Sequence, residues 1–251
     1  MLFIGLDLAW TPHNATGAAL VRGDANGGEL LSTALLGSMD EIVQFVAEAA
    51  PTGTPALVGV DAPLWVPNAT GRRPGESELG AVFAKFQAGA HPANRGITAF
   101  RQGVRGEELV ARLAAHGFTH DCAIAPGAPA RQVIEVYPHS AMVALFGLPR
   151  TLKYKAKPRR SRETRMAAWA EYQRHQAALA AAEPPLRGQD AIVAHDVGAL
   201  RGRALKDFED RVDAVMCAYI VLYGFRWGAA RCRTFGTMEG GYIYSPVPDL
   251  P

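Results

Sequence analysis

Cysteine is scarce in this chain: Cys122, Cys217 and Cys232 are its only three, widely separated, and they form no C-x-x-C pair. That argues against a disulfide framework and a cysteine-built zinc site, and it suggests a reducing, cytoplasmic compartment. Long apolar runs are lacking as well. No segment approaches the ~20 apolar residues of a membrane helix, so no membrane association is expected. The N-terminal apolar run has no basic leader and is interrupted by Asp7, which argues against a secretory signal. No Walker loop, no G-x-G-x-x-G and no G-x-S-x-G elbow is present, so the usual phosphate cradles and an activated serine are not expected. Charge of one sign is not in excess: a net +2 over 251 residues leaves any choice of partner to local distribution. The Asn-Ala-Thr sequons at Asn14 and Asn68 read as turn chemistry.

What is present is an ordinary globular composition, 49% apolar and 20% charged. It suits one substantial core and a single domain over residues 1–251. The first stretch, MLFIGLDLAW, holds an apolar run of the kind a strand buried on both faces requires, ending in Asp7. The same grammar returns at 56–61, ALVGVD, closed by Asp61. Each acid is followed by a Trp, a Pro and an Asn-Ala-Thr-Gly run: Trp10, Pro12 and Asn14 in one case, Trp65, Pro67 and Asn68 in the other. Two strands that each deliver a carboxylate and then break into a loop predict one shared cleft at one sheet edge. Residues 16–22 and 29–36 read as a hairpin around a Gly/Asn/Asp turn, and Ser38 as the cap of a helix through residue 50. Strand, helix, strand then predicts a mixed α/β sheet with a parallel pair. Residues 63–130, rich in Pro, Gly, Asn and Arg, read as a large insertion after the fourth strand, with helices near 76–88 and 107–116. Residues 131–137 resume a strand. Residues 152–205 read as a basic linker followed by helices, and 241–245 as a last short strand.

The strongest helix is predicted over 206–225. On it Asp210 and Asp213 stand three apart, one face shared, with small Ala214, Cys217 and Ala218 allowing close approach to a sheet. An acidic pair there can complete a metal site begun by Asp7 and Asp61. Bland readings compete. Asp207 can be an N-cap with Asp210 complementing the helix dipole, and Asp7 or Asp61 can serve Asx-turns. Glu135, inside an apolar strand, is a fifth catalytic candidate or a structural partner of an arginine such as Arg131. Converging carboxylates are hard oxygen ligands suited to Mg²⁺ or Mn²⁺. Two such ions ~4 Å apart can activate a water and stabilise a leaving oxygen in phosphodiester hydrolysis.

Motifs spread along most of the chain carry a family resemblance. They are Asp61-Ala62-Pro63-Leu64-Trp65, Pro67-Asn68 with Thr70-Gly71, Arg73 and Glu76, His91-Pro92-Ala93-Asn94-Arg95, Glu135-Val136-Tyr137-Pro138-His139, Leu152-Lys153-Tyr154-Lys155, and Glu209-Asp210 with Asp213-Ala214. On these the chain resembles domain-of-unknown-function family 429, regarded as predicted nucleases of the ribonuclease-H-like superfamily. Asp210-x-x-Asp213-Ala214 also looks like the helix motif of bacterial Holliday-junction resolvases. The resemblance implies a ribonuclease-H-like mixed five-stranded sheet flanked by helices. It further implies a metal-dependent nuclease with Asp7, Asp61, Asp210 and Asp213 as metal ligands.

The basic stretch from Lys153 to Arg165 can track a phosphate backbone, with Tyr154 available for stacking, or can be a solvated loop. Arg73, His91, Arg95, His139, Lys153, Tyr154 and Lys155 are the candidate substrate contacts, and DNA or RNA the expected partner. Trp10 and Trp65 can stack bases, though packing is the commoner fate of Trp. A homodimer is compatible with the sequence. Two alternatives stand beside the nuclease: an actin- or sugar-kinase-like phosphotransferase, disfavoured because Leu8-Ala9-Trp10 replaces a glycine-rich loop, and a non-catalytic nucleic-acid-binding module.

Overall fold

Apolar alternation on two sides builds the centre of the fold. A computed structural model describes residues 1–248; residues 249–251, the end of the expected domain, lie outside the described residues. The elements run β1 (Leu2–Asp7), β2 (Thr16–Asp24), β3 (Gly27–Leu36), α1 (Met39–Ala49), β4 (Ala56–Val60), α2 (Pro74–Phe83), α3 (Arg105–Ala114), β5 (Thr119–His120), β6 (Arg131–Glu135), α4 (Pro138–Phe146), α5 (Arg162–Ala178), β7 (Leu186–Arg187), α6 (Asp190–Val193), α7 (Gly202–Trp227), β8 (Cys232–Thr237) and β9 (Gly241–Pro246). One mixed sheet has the order β5-β6-β4-β1-β2-β3-β7, with β8 and β9 forming a separate hairpin. β1 is antiparallel to β2 and parallel to β4, as the hairpin and the α1 crossover require. Ser38 caps α1 as expected, its Oγ accepting from the Glu41 N–H at 3.1 Å.

The sheet has seven strands rather than the expected five. The two additions, β5 and β7, are two-residue edge strands, too short to leave a periodic trace in the sequence. β5 belongs to the 63–130 insertion, so that segment extends the sheet as well as covering it. The expected strand at 241–245 is β9, but its partner β8 was not anticipated. Between α6 and α7 the structure is largely irregular, where a loose helix was expected.

Strands β1 and β4 are covered on both faces. Ile4, Leu6, Val58 and Val60 pack with Ile42 and Val46 of α1 and Leu109 and Leu113 of α3. Phe3 and Leu57 belong to the core of the opposite face, beneath α7. Because successive strand residues alternate faces, Gly5 and Asp7 follow Phe3, and Gly59 and Asp61 follow Leu57, toward α7. Burial of these apolar positions, at about 25 cal/mol per Å², is the main force holding helix to sheet.

Candidate active site: an acid cluster over three strand glycines

The approach of α7 to the sheet sets the geometry. Gly5 and Gly59 lie opposite each other in the β1–β4 ladder, and Gly17 lies opposite Asp7 in the β1–β2 ladder. A Cβ on Gly5 would stand 1.9 Å from the Ala214 carbonyl oxygen, one on Gly17 1.9 Å from that of Asp210, and one on Gly59 2.6 Å from that of Cys217. Only glycine lets the helix backbone settle there. The small faces of Ala214, Cys217 and Ala218 anticipated this approach; the matching glycines on the strands are what the sequence reading missed.

That approach seats Asp210 above the Asp7–Gly17 pair. Asp61 lies beside Asp7, since the Asp61 N–H donates to the Leu6 carbonyl at 2.8 Å and continues the parallel ladder by one residue. The loop after Asp7 is pinned from the insertion, where Arg105 Nη1 donates to the Ala9 carbonyl at 2.7 Å. Asp7, Asp61 and Asp210 line a cleft of about 360 Å³, together with Trp10, His91, Tyr137, His139, Lys155, Lys157 and Lys206.

The four aspartates differ in what holds them. Asp213 is fully buried. Its Oδ1 accepts from the Tyr154 hydroxyl at 2.7 Å and the Tyr172 hydroxyl at 3.2 Å, and Lys155 Nζ stands 2.7 Å from Oδ2. Asp210 is paired with Lys206 at 2.5 Å, and Lys206 also reaches Glu209 at 2.8 Å. Asp207 pairs with Arg203, and α7 begins at Gly202, so the N-cap reading of Asp207 does not hold. Asp7 and Asp61 receive no side-chain hydrogen bond or close ion pair among the described residues, so neither serves an Asx-turn.

Electrostatics follow from this. Burial pushes the Asp7 carboxyl well above the usual range; Lys155 pulls it back, while Asp213, Asp61 and Asp210 push it further up. Asp61 rises from 3.8 to about 7, mainly through burial, with Lys155 opposing and Asp213 and Glu135 adding. Burial works against the Lys155 charge, but Asp213, Asp7 and Asp61 outweigh it and hold the ammonium well above its ordinary range. Lys155 is thus an internal cation among the acids. Burial and nearby cations keep His139 well below its ordinary value and lower His91 as well.

Other candidates lie elsewhere. Glu135 is not in the cleft lining. It pairs in register with Val60, and Val133 two residues earlier packs on the α1 face, so alternation turns Glu135 away from the Asp pair. Arg73 bridges it at 2.6 and 2.9 Å, and the Leu64 N–H donates to it at 2.9 Å. Arg73 also holds Glu76 at 2.8 Å and the Trp65 carbonyl at 3.0 Å, and at 2% exposed it is closed off from a phosphate in solution. Arg131, the other partner considered for Glu135, instead donates to the carbonyls of Ala50, Pro51, Thr54 and His116. Arg95 pairs with Glu107 and donates to the Val66 carbonyl, and it is not among the residues that line the cleft. Tyr154 is buried against Trp169 and Tyr172, so it positions Asp213 and has no face for a base. Lys153 lines a recess next to the cleft, and His91, His139 and Lys155 line both. Trp10 lines the cleft and packs on Phe100, whereas Trp65 lies outside it with its indole N–H on the Glu239 carbonyl.

Asp7 and Asp61 line one cleft, carry like charge and receive no side-chain hydrogen bond among the described residues; two such hard oxygen donors are of the kind a divalent cation takes. Asp210 could join by releasing Lys206. Asp213 already carries two tyrosine hydroxyls on Oδ1 and the Lys155 ammonium at Oδ2, an oxygen with no hydrogen-bond partner of its own.

The described chain has no helix long and apolar enough to cross a membrane. A comparison with curated proteins gives no match. The description "Protein of unknown function (DUF429)" matches residues 5–235, nearly the whole chain, and every site residue above falls within that span. The chain therefore belongs to the DUF429 family.

Proposed function

We propose that this protein is a divalent-metal-dependent phosphodiesterase of the ribonuclease-H-like type that acts on nucleic acid. The observation that carries the reading is the side-by-side placement of Asp7 and Asp61 at the carboxyl edge of two parallel strands, with Asp210 above them and a basic rim. The five longer strands support it: in the order β3-β2-β1-β4-β6 they put one acid on the first strand, one after the next parallel strand and others on the late helix.

Asp7 and Asp61 would hold Mg²⁺ or Mn²⁺. Bound there, the ion would supply Lewis-acid polarisation of a phosphoryl oxygen and a water of lowered pKa. The chain's own residues do the rest. Lys155, fixed by Asp213, presents a preorganised positive charge beside the place where negative charge develops. Asp213, Tyr154 and Tyr172 orient that ammonium. Lys157 neutralises phosphate in the cleft, and Trp10 forms an apolar wall for a base.

The test is Mg²⁺- or Mn²⁺-dependent cleavage of labelled DNA, RNA, hybrid and junction substrates. Asp7→Asn and Asp61→Asn are expected to lower the rate at least about 10²-fold, the scale of losing one preorganised electrostatic contribution. Unchanged cleavage in both variants ends the reading. One observation favours a non-catalytic nucleic-acid-binding module: the Lys155 ammonium already neutralises part of the acid cluster. Metal titration separates the two, since salt-sensitive binding of nucleic acid with no Mn²⁺ affinity selects the binding module.

A further inference from the structure

Beside the acid cluster lies a second, smaller space of about 120 Å³. It shares His91, Tyr137, His139, Lys155 and Lys157 with the main cleft, so the two are continuous. Its own wall adds Lys153 and Arg160, and no carboxylate lines it. Lys153, Lys157 and Arg160 make no ion pair with any acid among the described residues. Arg160 is anchored by donating to the Lys155 carbonyl at 3.0 Å, which ties the recess to the residue at the heart of the acid cluster. Three cations thus face one small recess with no countercharge. Burial together with mutual repulsion lowers the pKa of Lys153 and of Lys157.

The back of the recess is firm. Thr151 is buried; its N–H donates to the Phe86 carbonyl at 2.8 Å, and its hydroxyl meets His139 Nδ1 at 3.2 Å. At the rim Gln87 is held in the left-handed region, at φ 57°, an uncommon conformation for a residue other than glycine. Backbone positions of this kind concentrate at ligand clamps.

We propose that this recess binds a terminal phosphate monoester, so that the substrate of the neighbouring cleft is a phosphate-ended strand or short oligonucleotide rather than the interior of a long polymer. The inference rests on the nuclease reading above for the word substrate, but not for the binding itself. The charge decides between the two kinds of phosphate. A diester in a backbone carries one negative charge, whereas a terminal monoester carries about −1.5 to −2 at pH 7 and offers three acceptor oxygens. Three uncompensated cations around so small a space match the second. Arg160 supplies planar donors, and Lys153 and Lys157 supply mobile point charges.

The experiment measures binding in chelator, at fixed ionic strength, so that no cleavage occurs. Oligonucleotides of one sequence carry a 5′-phosphate, a 3′-phosphate or hydroxyls at both ends, and inorganic phosphate is the competitor. The expected result is at least about tenfold tighter binding of one phosphorylated form, the equivalent of one charge-assisted contact. Inorganic phosphate should displace that form selectively. Lys153→Gln should remove most of the preference, and Arg160→Gln should do the same where circular dichroism shows the fold retained. Equal affinity for phosphorylated and unphosphorylated ends in the wild-type protein overturns the proposal. The two readings fail separately. End preference without metal-dependent cleavage keeps the recess and removes the hydrolysis; cleavage without end preference does the reverse.

Discussion

Two sets of strand-end carboxylates sit close together in this molecule and are treated in opposite ways. Glu135, at the end of β6, is locked to Arg73, which is also locked to Glu76, and all three side chains are nearly or fully buried. Asp7 and Asp61, at the ends of β1 and β4, have no such partner and face a cleft. Burial lifts Glu135 as well, but the Arg73 charge and hydrogen bonds pull it back. For Asp61 the main opposing charge is Lys155, which is committed to Asp213. The paired acid is architecture: it fastens the 63–130 insertion to the sheet. The unpaired acids are poised for something the chain does not itself provide. Perturbed carboxylates in a cleft, beside satisfied ones next door, distinguish a site from a scaffold.

The contrast breaks most severely at Arg73. Arg73→Met leaves Glu76 and Glu135 buried without their cation and should cost about 3–5 kcal/mol, read as a lowered urea midpoint. A loss under about 1 kcal/mol would show that the pair is not structural. Next in size is Gly5→Val, which drives a side chain into the Ala214 carbonyl and should cost about 1–3 kcal/mol while displacing the acid cluster. Chemical denaturation checks the cost; a neutral effect would mean that α7 sits less close than described.

The opposite sign is expected at the unpaired acids. Asp61→Asn should stabilise the fold at neutral pH by about 0.5–2 kcal/mol while lowering the proposed metal-dependent cleavage, because it relieves like-charge crowding at the cleft. The pH dependence follows from its shift to about 7. In the unfolded chain this carboxyl ionises near 3.8, whereas in the folded protein it keeps its proton until about 7. Between those values the unfolded state binds fewer protons, so stability falls as pH rises and levels off above the window. Asp7 and Glu209 are also raised and add the same sign. His139 and His91, held below their ordinary value of 6.5, act with the opposite sign below that pH, so the quantity to follow is the difference: from pH 4 to 8 in chelator the melting temperature of the wild-type protein should fall relative to that of Asp61→Asn. Saturating Mn²⁺ should reverse part of the decline. The smallest effect belongs to the surface: Arg22 and Glu29 are about two-thirds exposed and 4.0 Å apart, so Arg22→Ala should change stability by less than about 0.5 kcal/mol. A larger loss there would weaken the contrast between buried and exposed pairs.

Asp7 and Asp61 were legible because both end apolar strands and because the words after them repeat. The acids of α7 were legible because a helix with small residues on one face announces close packing. Glu135 was misread as a catalytic candidate because sequence gives the strand but not the register, and one residue of register sends a side chain to the other face. The pairing of Arg73 with Glu76 and Glu135, and of Arg95 with Glu107, was hidden for a related reason: nothing local tells whether an arginine in a polar loop will meet a carboxylate of the same chain. Lys206 and Tyr172 escaped notice because their roles exist only through contacts across long stretches of chain.

The amino-acid sequence by itself determined the five longer strands of the mixed sheet, its principal helices and the acids at the strand ends, since periodicity, capping and turn chemistry are local properties. Only the tertiary structure decided which acids stay unpaired, that Lys155 stands among them, and that two edge strands widen the sheet to seven. Those outcomes depend on which charges meet after burial, and burial is a property of the whole packed chain.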